Sequence, residues 1–136
     1  MGFFKWVRRR VHGPSALSRG DVEEFDEETS EMISASDALL SRMRVGSIDL
    51  TRKRMVTHLF LGNDRDLDRA SRLLESLGYS SDEMGSGRLV VSEQVAVGEG
   101  WVRRVVPVMM QTAGEFELIY DGWDADVAAD HTGQDN

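Results

Sequence analysis

The strongest structural signal in the chain lies in residues 54–97, which read RMVTHLFLGNDRDLDRASRLLESLGYSSDEMGSGRLVVSEQVAV. Its first eight residues are rich in Val, Thr, Phe and Leu, which is typical of a β-strand. Asn63 or Asp64 then caps a helix whose apolar stripe ends in Leu77. A short strand, a glycine-rich turn at residues 85–87 and a stronger strand complete a β-hairpin. The stretch therefore predicts the order strand, helix, strand, strand.

The segments on either side of this stretch extend the same architecture. Residues 99–113 again place their apolar side chains on one helical face, but Pro107 lies inside this stretch, so the helix either begins near Arg104 or kinks. Residues 117–123 predict a last strand. An acidic, amphipathic helix is predicted before the stretch, over residues 21–44. The sequence therefore predicts an α+β, ferredoxin-like split βαβ sandwich, in which two helices cover one face of a four-stranded antiparallel sheet, with an extra N-terminal helix.

Charge divides the chain into unequal parts. Residues 1–20 contain five basic and no acidic residues, whereas residues 21–37 contain eight acidic and no basic ones. We expect a basic, flexible tail over residues 1–20, a single α+β domain over residues 21–125 and a disordered polar tail over residues 126–136. The net charge of −8 disfavours the binding of RNA or DNA phosphates by the folded domain.

The side chains that usually carry enzymatic chemistry are missing or isolated. The chain has no cysteine, which excludes disulfides, zinc ribbons, iron–sulfur clusters and thiol nucleophiles. His58 lies in a predicted strand with no neighbouring nucleophile, and the turn at residues 98–100 lacks the further glycine and the lysine of phosphate-binding loops. We therefore expect no catalytic residues, no metal and no cofactor. No apolar run approaches the roughly 20 residues of a membrane-spanning helix, and we expect a cytoplasmic protein.

The N-terminus is both basic and aromatic, and it is a candidate for weak contact with an anionic membrane or with nucleic acid. The residues concerned are Phe3, Phe4, Lys5, Trp6, Arg8, Arg9 and Arg10. Each basic residue contributes only about 1 kcal/mol near an anionic surface, so the segment is too short to bind strongly alone. A solubilising tail is an equally good interpretation.

Two large aromatic residues bracket an Asp-Gly pair in Tyr120-Asp121-Gly122-Trp123, at the end of the last predicted strand. In a regular strand the two rings would point to opposite faces of the sheet. A glycine-centred bulge adds one residue and brings both rings to the same face, and we expect Gly122 to adopt a conformation that is costly for other residues. The pair is then either a clasp that holds the strand to the core or a contact for a partner.

These segments, taken in order, resemble the bacterial regulator of ribonuclease E activity, B type. The resemblance rests on the acidic, then apolar helix of residues 27–42, the strand of residues 55–61, the helix of residues 67–77 and the Tyr120–Trp123 motif. It implies a ferredoxin-like sandwich that is not an enzyme. It also implies that the protein binds the non-catalytic scaffold region of ribonuclease E and alters RNA decay. The basic, aromatic start of this chain departs from the family pattern.

Three classes of function remain open at this point. The first is a non-enzymatic regulator that binds a ribonuclease or another RNA-decay component, because an acidic body suits a partner with basic segments. Its possible partner-binding residues lie on the acidic helix and are Glu24, Glu27, Glu28 and Glu31. The second is an adaptor that is tethered to membrane or nucleic acid through residues 3–10. The third is a small-molecule-binding or enzymatic domain, since this fold alone does not fix a function.

Overall fold

The computed structural model describes residues 25–127, which form three helices and four strands. In chain order the elements are α1 (Glu27–Val45), β1 (Arg54–Leu61), α2 (Asp64–Ser76), β2 (Ser80–Gly85), β3 (Arg88–Val95), α3 (Glu99–Glu115) and β4 (Ile119–Ala125). The predicted order of elements is confirmed. The basic tail predicted over residues 1–20 lies outside the described residues, as does the polar tail beyond residue 127.

The four strands form one antiparallel sheet in the order β2-β3-β1-β4. Alternate side chains of β1 and β3, among them Val56, Phe60, Leu89 and Val91, share one core cluster with buried residues of α2 and α3. Both helices therefore cover the same face of the sheet. The ferredoxin-like, split βαβ arrangement predicted from the sequence is confirmed.

The helix α2 buries an apolar stripe against the sheet, as its periodicity predicts. Leu67, Ala70 and Leu74 are fully buried. The last leucine of the predicted stripe, Leu77, is not buried. The helix α2 ends at Ser76, and Leu77 is its C-cap residue and is 53% exposed. The stripe that packs on the sheet therefore ends at Leu74.

The helix α3 is continuous through its internal proline. It begins at Glu99 and contains Pro107 in its interior, and Val106 and Met109 on either side of the proline are fully buried. The predicted start near Arg104 is therefore wrong. Because proline has no backbone N–H, the helix loses one hydrogen bond to the carbonyl of Arg103, and the packing of α3 on the sheet compensates for this loss.

The helix α1 begins later than the acidic pattern predicts. Asp26 is its N-cap and accepts a hydrogen bond of 2.8 Å from the Thr29 amide, so the helix starts at Glu27 rather than at residue 21. Several carboxylates in the acidic run could serve as this cap, and the local contact of Asp26 selects one of them. Residues 21–24 lie outside the described part of the chain.

Two arginine–carboxylate pairs join α1 to α3 at the surface. Arg44 donates to both carboxylate oxygens of Glu99 at 2.8 Å, and Arg103 donates to those of Asp37 at 2.8 and 3.1 Å. The hydrogen bonds from Arg44 lower the pKa of Glu99 to about 2. Because all four side chains are partly open to solvent, each pair contributes little stability and mainly fixes the orientation of α1.

Candidate functional site

The strand β4 carries a bulge inside its aromatic motif, Tyr120–Trp123. The register of β4 against β1 shifts by one residue between Leu59 and Phe60, which leaves Asp121 as the extra residue. Gly122 has a φ of 114°, in the left-handed region that favours glycine. The shift places both aromatic rings of the motif on the helix-covered face of the sheet. The predicted bulge and the predicted common face are both confirmed.

The side chain of Trp123 ties β4 to two helices. It is fully buried, and its ring packs edge-to-face on that of Trp101 in α3, with the ring centroids 4.9 Å apart. Its indole N–H donates a hydrogen bond of 2.8 Å to the hydroxyl of Ser36 in α1, and that hydroxyl donates to the carbonyl of Met32. Tyr120 is also buried. The geometry supports the clasp, because little of either ring is left for direct contact with a partner.

The imidazole of His58 lies at the centre of a buried polar network that links three strands. His58 itself is on β1 and is fully buried. Its Nδ1 lies 2.8 Å from the hydroxyl oxygen of Tyr120 on β4, and its Nε2 lies 3.0 Å from a carboxylate oxygen of Glu93 on β3. The rings of Tyr79, Trp101 and Tyr120 surround the imidazole, each with a centroid distance of 5.9 Å. His58 therefore makes two polar contacts and is also surrounded by three aromatic rings.

Burial sets the protonation of this network. It lowers the pKa of His58 more strongly than the hydrogen bond with Glu93 raises it, so the imidazole is neutral at pH 7. Burial also raises the pKa of the Tyr120 hydroxyl well above its usual value and that of Tyr79 to about 12. Both phenols therefore stay protonated and can donate hydrogen bonds.

Two residues of this network, Glu93 and Tyr79, are not among the site residues predicted from the sequence. Glu93 stands two positions along β3 from Val91, which is the residue directly opposite His58. A glutamate at this diagonal position reaches the imidazole only in the observed register of the two strands. The sequence contains both His58 and Glu93, but their contact can be inferred only once the register of β1 against β3 is known.

The helix α1 contacts the aromatic motif through its buried face, whereas its acidic side chains are exposed. Glu27, Glu28 and Glu31 lie in the first turns of α1 and are exposed, whereas Ser36, which contacts the motif, is on the buried face of the helix. Within residues 25–127, no basic side chain forms an ion pair with these three glutamates. Glu24 and the basic, aromatic residues of the N-terminus lie outside the described residues.

Two kinds of site are not found in the part of the chain that the structure describes. Over those residues, no group of three or more His, Cys, Asp or Glu side chains is placed to hold a metal ion. Over the same residues, no helix has the length and apolar character needed to cross a membrane.

Comparison with known protein families finds a match that covers the whole sheet and the two helices packed on it. The family model described as Regulator of ribonuclease activity B matches residues 33–125. The chain belongs to this family. The resemblance inferred from the sequence is thereby confirmed. A search of curated proteins finds no significant match.

The match to the regulator of ribonuclease activity B family includes the aromatic cluster. It begins within α1, before Ser36, and ends at Ala125, the last residue of β4. The whole sheet, both crossover helices and the contact between Trp123 and Ser36 thus lie in the region that this chain shares with the family. The glutamates at the start of α1 lie before the match, as do residues 1–20.

Proposed function

We propose that the protein is a non-enzymatic regulator that binds a ribonuclease or another RNA-decay component in the cytoplasm and modulates RNA turnover. The observation that carries this proposal is the family match, which spans the entire sheet and both crossover helices. By resemblance, the partner is the non-catalytic scaffold region of an E-type ribonuclease. Such a regulator acts by binding, so it needs a stable body and an accessible surface.

The acidic start of α1 is the surface that best fits a basic partner. Glu27, Glu28 and Glu31 are exposed side by side, and the net charge of −8 adds a long-range attraction for a basic segment. Complementary charge of this kind accelerates encounter and selects the partner more than it adds affinity. Asp37 and Glu99 are engaged by arginines, which leaves the glutamates at the start of α1 as the more available charges.

The aromatic motif acts in this proposal as a clasp. The hydrogen bond from Trp123 to Ser36 holds α1 against the sandwich, and the two surface ion pairs fix its orientation. The acidic turns therefore project from a defined position. We assign partner contact to the helix surface and structural support to the buried rings.

A pull-down from the native bacterial cell, with the tagged full chain as bait, tests the proposed function. We expect a ribonuclease or an associated RNA-decay protein among the captured proteins. We also expect the purified chain to slow RNA cleavage by that ribonuclease. The binding surface is tested by the triple variant Glu27→Lys, Glu28→Lys and Glu31→Lys. A matched control reverses three exposed acids elsewhere, namely Glu75, Asp82 and Glu117.

The possible outcomes test the proposed function and the proposed binding surface independently. Loss of capture in the α1 variant, with capture kept in the control, is the expected result. Equal loss in both variants would show that net charge rather than α1 carries the attraction. If the unmodified chain captures no RNA-decay component, the proposed function itself is wrong. Deletion of residues 1–12 tests the tethered-adaptor alternative, which requires that this change abolish lipid or RNA binding.

A further inference from the structure

The side chain of His58 connects an edge strand to the centre of the sheet. Its partners are Tyr120 on β4 and Glu93 on β3, at 2.8 and 3.0 Å. Among the described residues 25–127, β4 lies at the edge of the sheet and pairs with β1 alone. The hydrogen bond between His58 and Tyr120 is therefore a buried side-chain contact that adds to the backbone pairing of β4.

The two partners fix the position of the single imidazole proton. A carboxylate oxygen only accepts, so Nε2 of His58 carries the hydrogen and donates it to Glu93. Nδ1 is then an acceptor, and it receives the hydroxyl hydrogen of Tyr120. Both ring nitrogens of the neutral imidazole are thus satisfied. A second proton could only bind at Nδ1, where it would reverse the hydrogen bond with Tyr120 and leave the hydroxyl hydrogen of Tyr120 in need of another acceptor.

Burial of His58 opposes that second proton more strongly than the carboxylate of Glu93 favours it. The titratable or charged groups on the elements around the imidazole include Glu93 on β3, Tyr120, Asp121 and Asp124 on β4, Tyr79 before β2, Arg104 on α3 and Arg54 on β1 itself. Arg54 donates to the backbone carbonyls of Asp49 and Asp126, and Glu93 already accepts from Nε2. The remaining wall is the ring of Trp101. A charge on the imidazole would therefore sit in a largely apolar core.

We propose that the hydrogen bond between His58 and Tyr120 is an acid-releasable latch, which couples the opening of β4 to the uptake of one proton by His58. In the closed state the imidazole stays neutral, because a second proton would place a charge in the buried site and reverse the hydrogen bond with Tyr120. Opening of β4 exposes the imidazole to water and removes the burial that lowers its pKa, which returns toward the ordinary value of about 6.5 with Glu93 on β3 still beside it. The same opening withdraws Trp123 from Trp101 and uncovers both rings. This latch does not depend on the proposed ribonuclease function.

The direction of the pH dependence follows from the two protonation states. Below pH 6.5 the open state binds more protons than the closed state, so β4 opens more easily as the pH falls. If the closed state takes up no proton, the equilibrium constant for opening rises about tenfold between pH 7.5 and pH 5.5. Asp124 of β4 acts in the opposite direction, because burial raises its pKa and its protonation favours the closed state as the pH falls.

Hydrogen exchange, measured by NMR on the full chain, tests this latch. After correction for the intrinsic effect of pH on exchange, we expect the amides of residues 120–125 to open about tenfold more often at pH 5.5 than at pH 7.5. The amides at the C-terminal end of α2, around Ser76, fray without exposing His58 and serve as an internal control. The ¹⁵N chemical shifts of His58 should show a neutral imidazole with its hydrogen on Nε2 over the whole range.

Two variants sharpen the test. His58→Gln keeps a donor and an acceptor but does not titrate, so it should lose the pH dependence of β4 opening. Asp124→Asn removes the opposing group and should make the dependence steeper. The proposal is overturned if His58 titrates in the folded chain with a pKa near 6.5, or if the corrected exchange of β4 does not change with pH. Both of these readouts use the unmodified chain, so the test holds even if His58→Gln fails to fold.

Discussion

The substitution Trp123→Ala tests most directly how the last strand is held to the rest of the fold. The side chain is fully buried, and truncation removes its contact with Trp101 and its hydrogen bond to Ser36. Large core truncations of this kind cost about 3–5 kcal/mol, through lost transfer free energy and the cavity left behind. Since native proteins are stable by only about 5–15 kcal/mol, the variant should lose a large part of its free energy of unfolding.

Two further substitutions distinguish the contribution of the Trp123 ring from that of its indole N–H. Trp123→Phe keeps an aromatic ring but removes the indole N–H, and Ser36→Ala removes the acceptor. In a double-mutant cycle, the coupling between these two changes should be about 1 kcal/mol, the usual net contribution of a hydrogen bond. The bond that Ser36 donates to the carbonyl of Met32 is lost in both backgrounds, so it cancels in the cycle.

Urea unfolding followed by circular dichroism measures these free energies, since the midpoint and slope do not depend on tryptophan fluorescence. Capture of the partner is measured on the same variants under conditions in which each is folded. The clasp interpretation requires a large loss of stability in Trp123→Ala and retained binding in folded Trp123→Phe. A loss of less than about 1 kcal/mol in Trp123→Ala, together with lost binding, would refute it and identify the ring as a partner contact.

Three further substitutions test other features of the fold. Gly122→Val places a β-branched side chain at a φ of 114° and should cost about 2 kcal/mol or more in urea unfolding, with Gly122→Asn better tolerated. Pro107→Ala restores a backbone N–H inside α3 and should raise the free energy of unfolding by about 1 kcal/mol or more; a decrease would mean that the proline ring contributes more through packing. Arg44→Gln removes the pair with Glu99 and should lower the melting temperature only slightly, with no effect left in high salt. A pH series of thermal melts should show this pair's contribution above the ordinary pKa of a glutamate and its loss as the pH falls toward 2.

Most elements of this fold are predictable because their signals are local. Apolar residues at steps of three and four define α2 and α3 without reference to any other part of the chain. The bulge in β4 is predictable for the same reason. Tyr120 and Trp123 are three positions apart, a regular strand cannot place both on one face, and Gly122 between them permits the extra residue.

The buried network could not be predicted in this way, because it depends on strand register. His58 lies 35 positions from Glu93 and 62 positions from Tyr120 along the chain, and only strand pairing brings them together. The predicted start of α1 was wrong for a different reason. Its acidic run offers several equivalent caps, and the contact of Asp26 with the Thr29 amide, rather than composition, decides where the helix begins.

Both edges of the sheet carry a bulge, and this limits how another chain can attach. β4 forms one edge and is interrupted at Asp121, while β2 forms the other and shifts its register between Ser81 and Glu83. An uninterrupted edge strand offers a regular row of free amide and carbonyl groups on which a foreign strand can extend the sheet, and a bulge breaks that row. β2 also carries the negative charges of Asp82 and Glu83. Both features disfavour the extension of the sheet by a foreign strand and the edge-to-edge aggregation that follows from it.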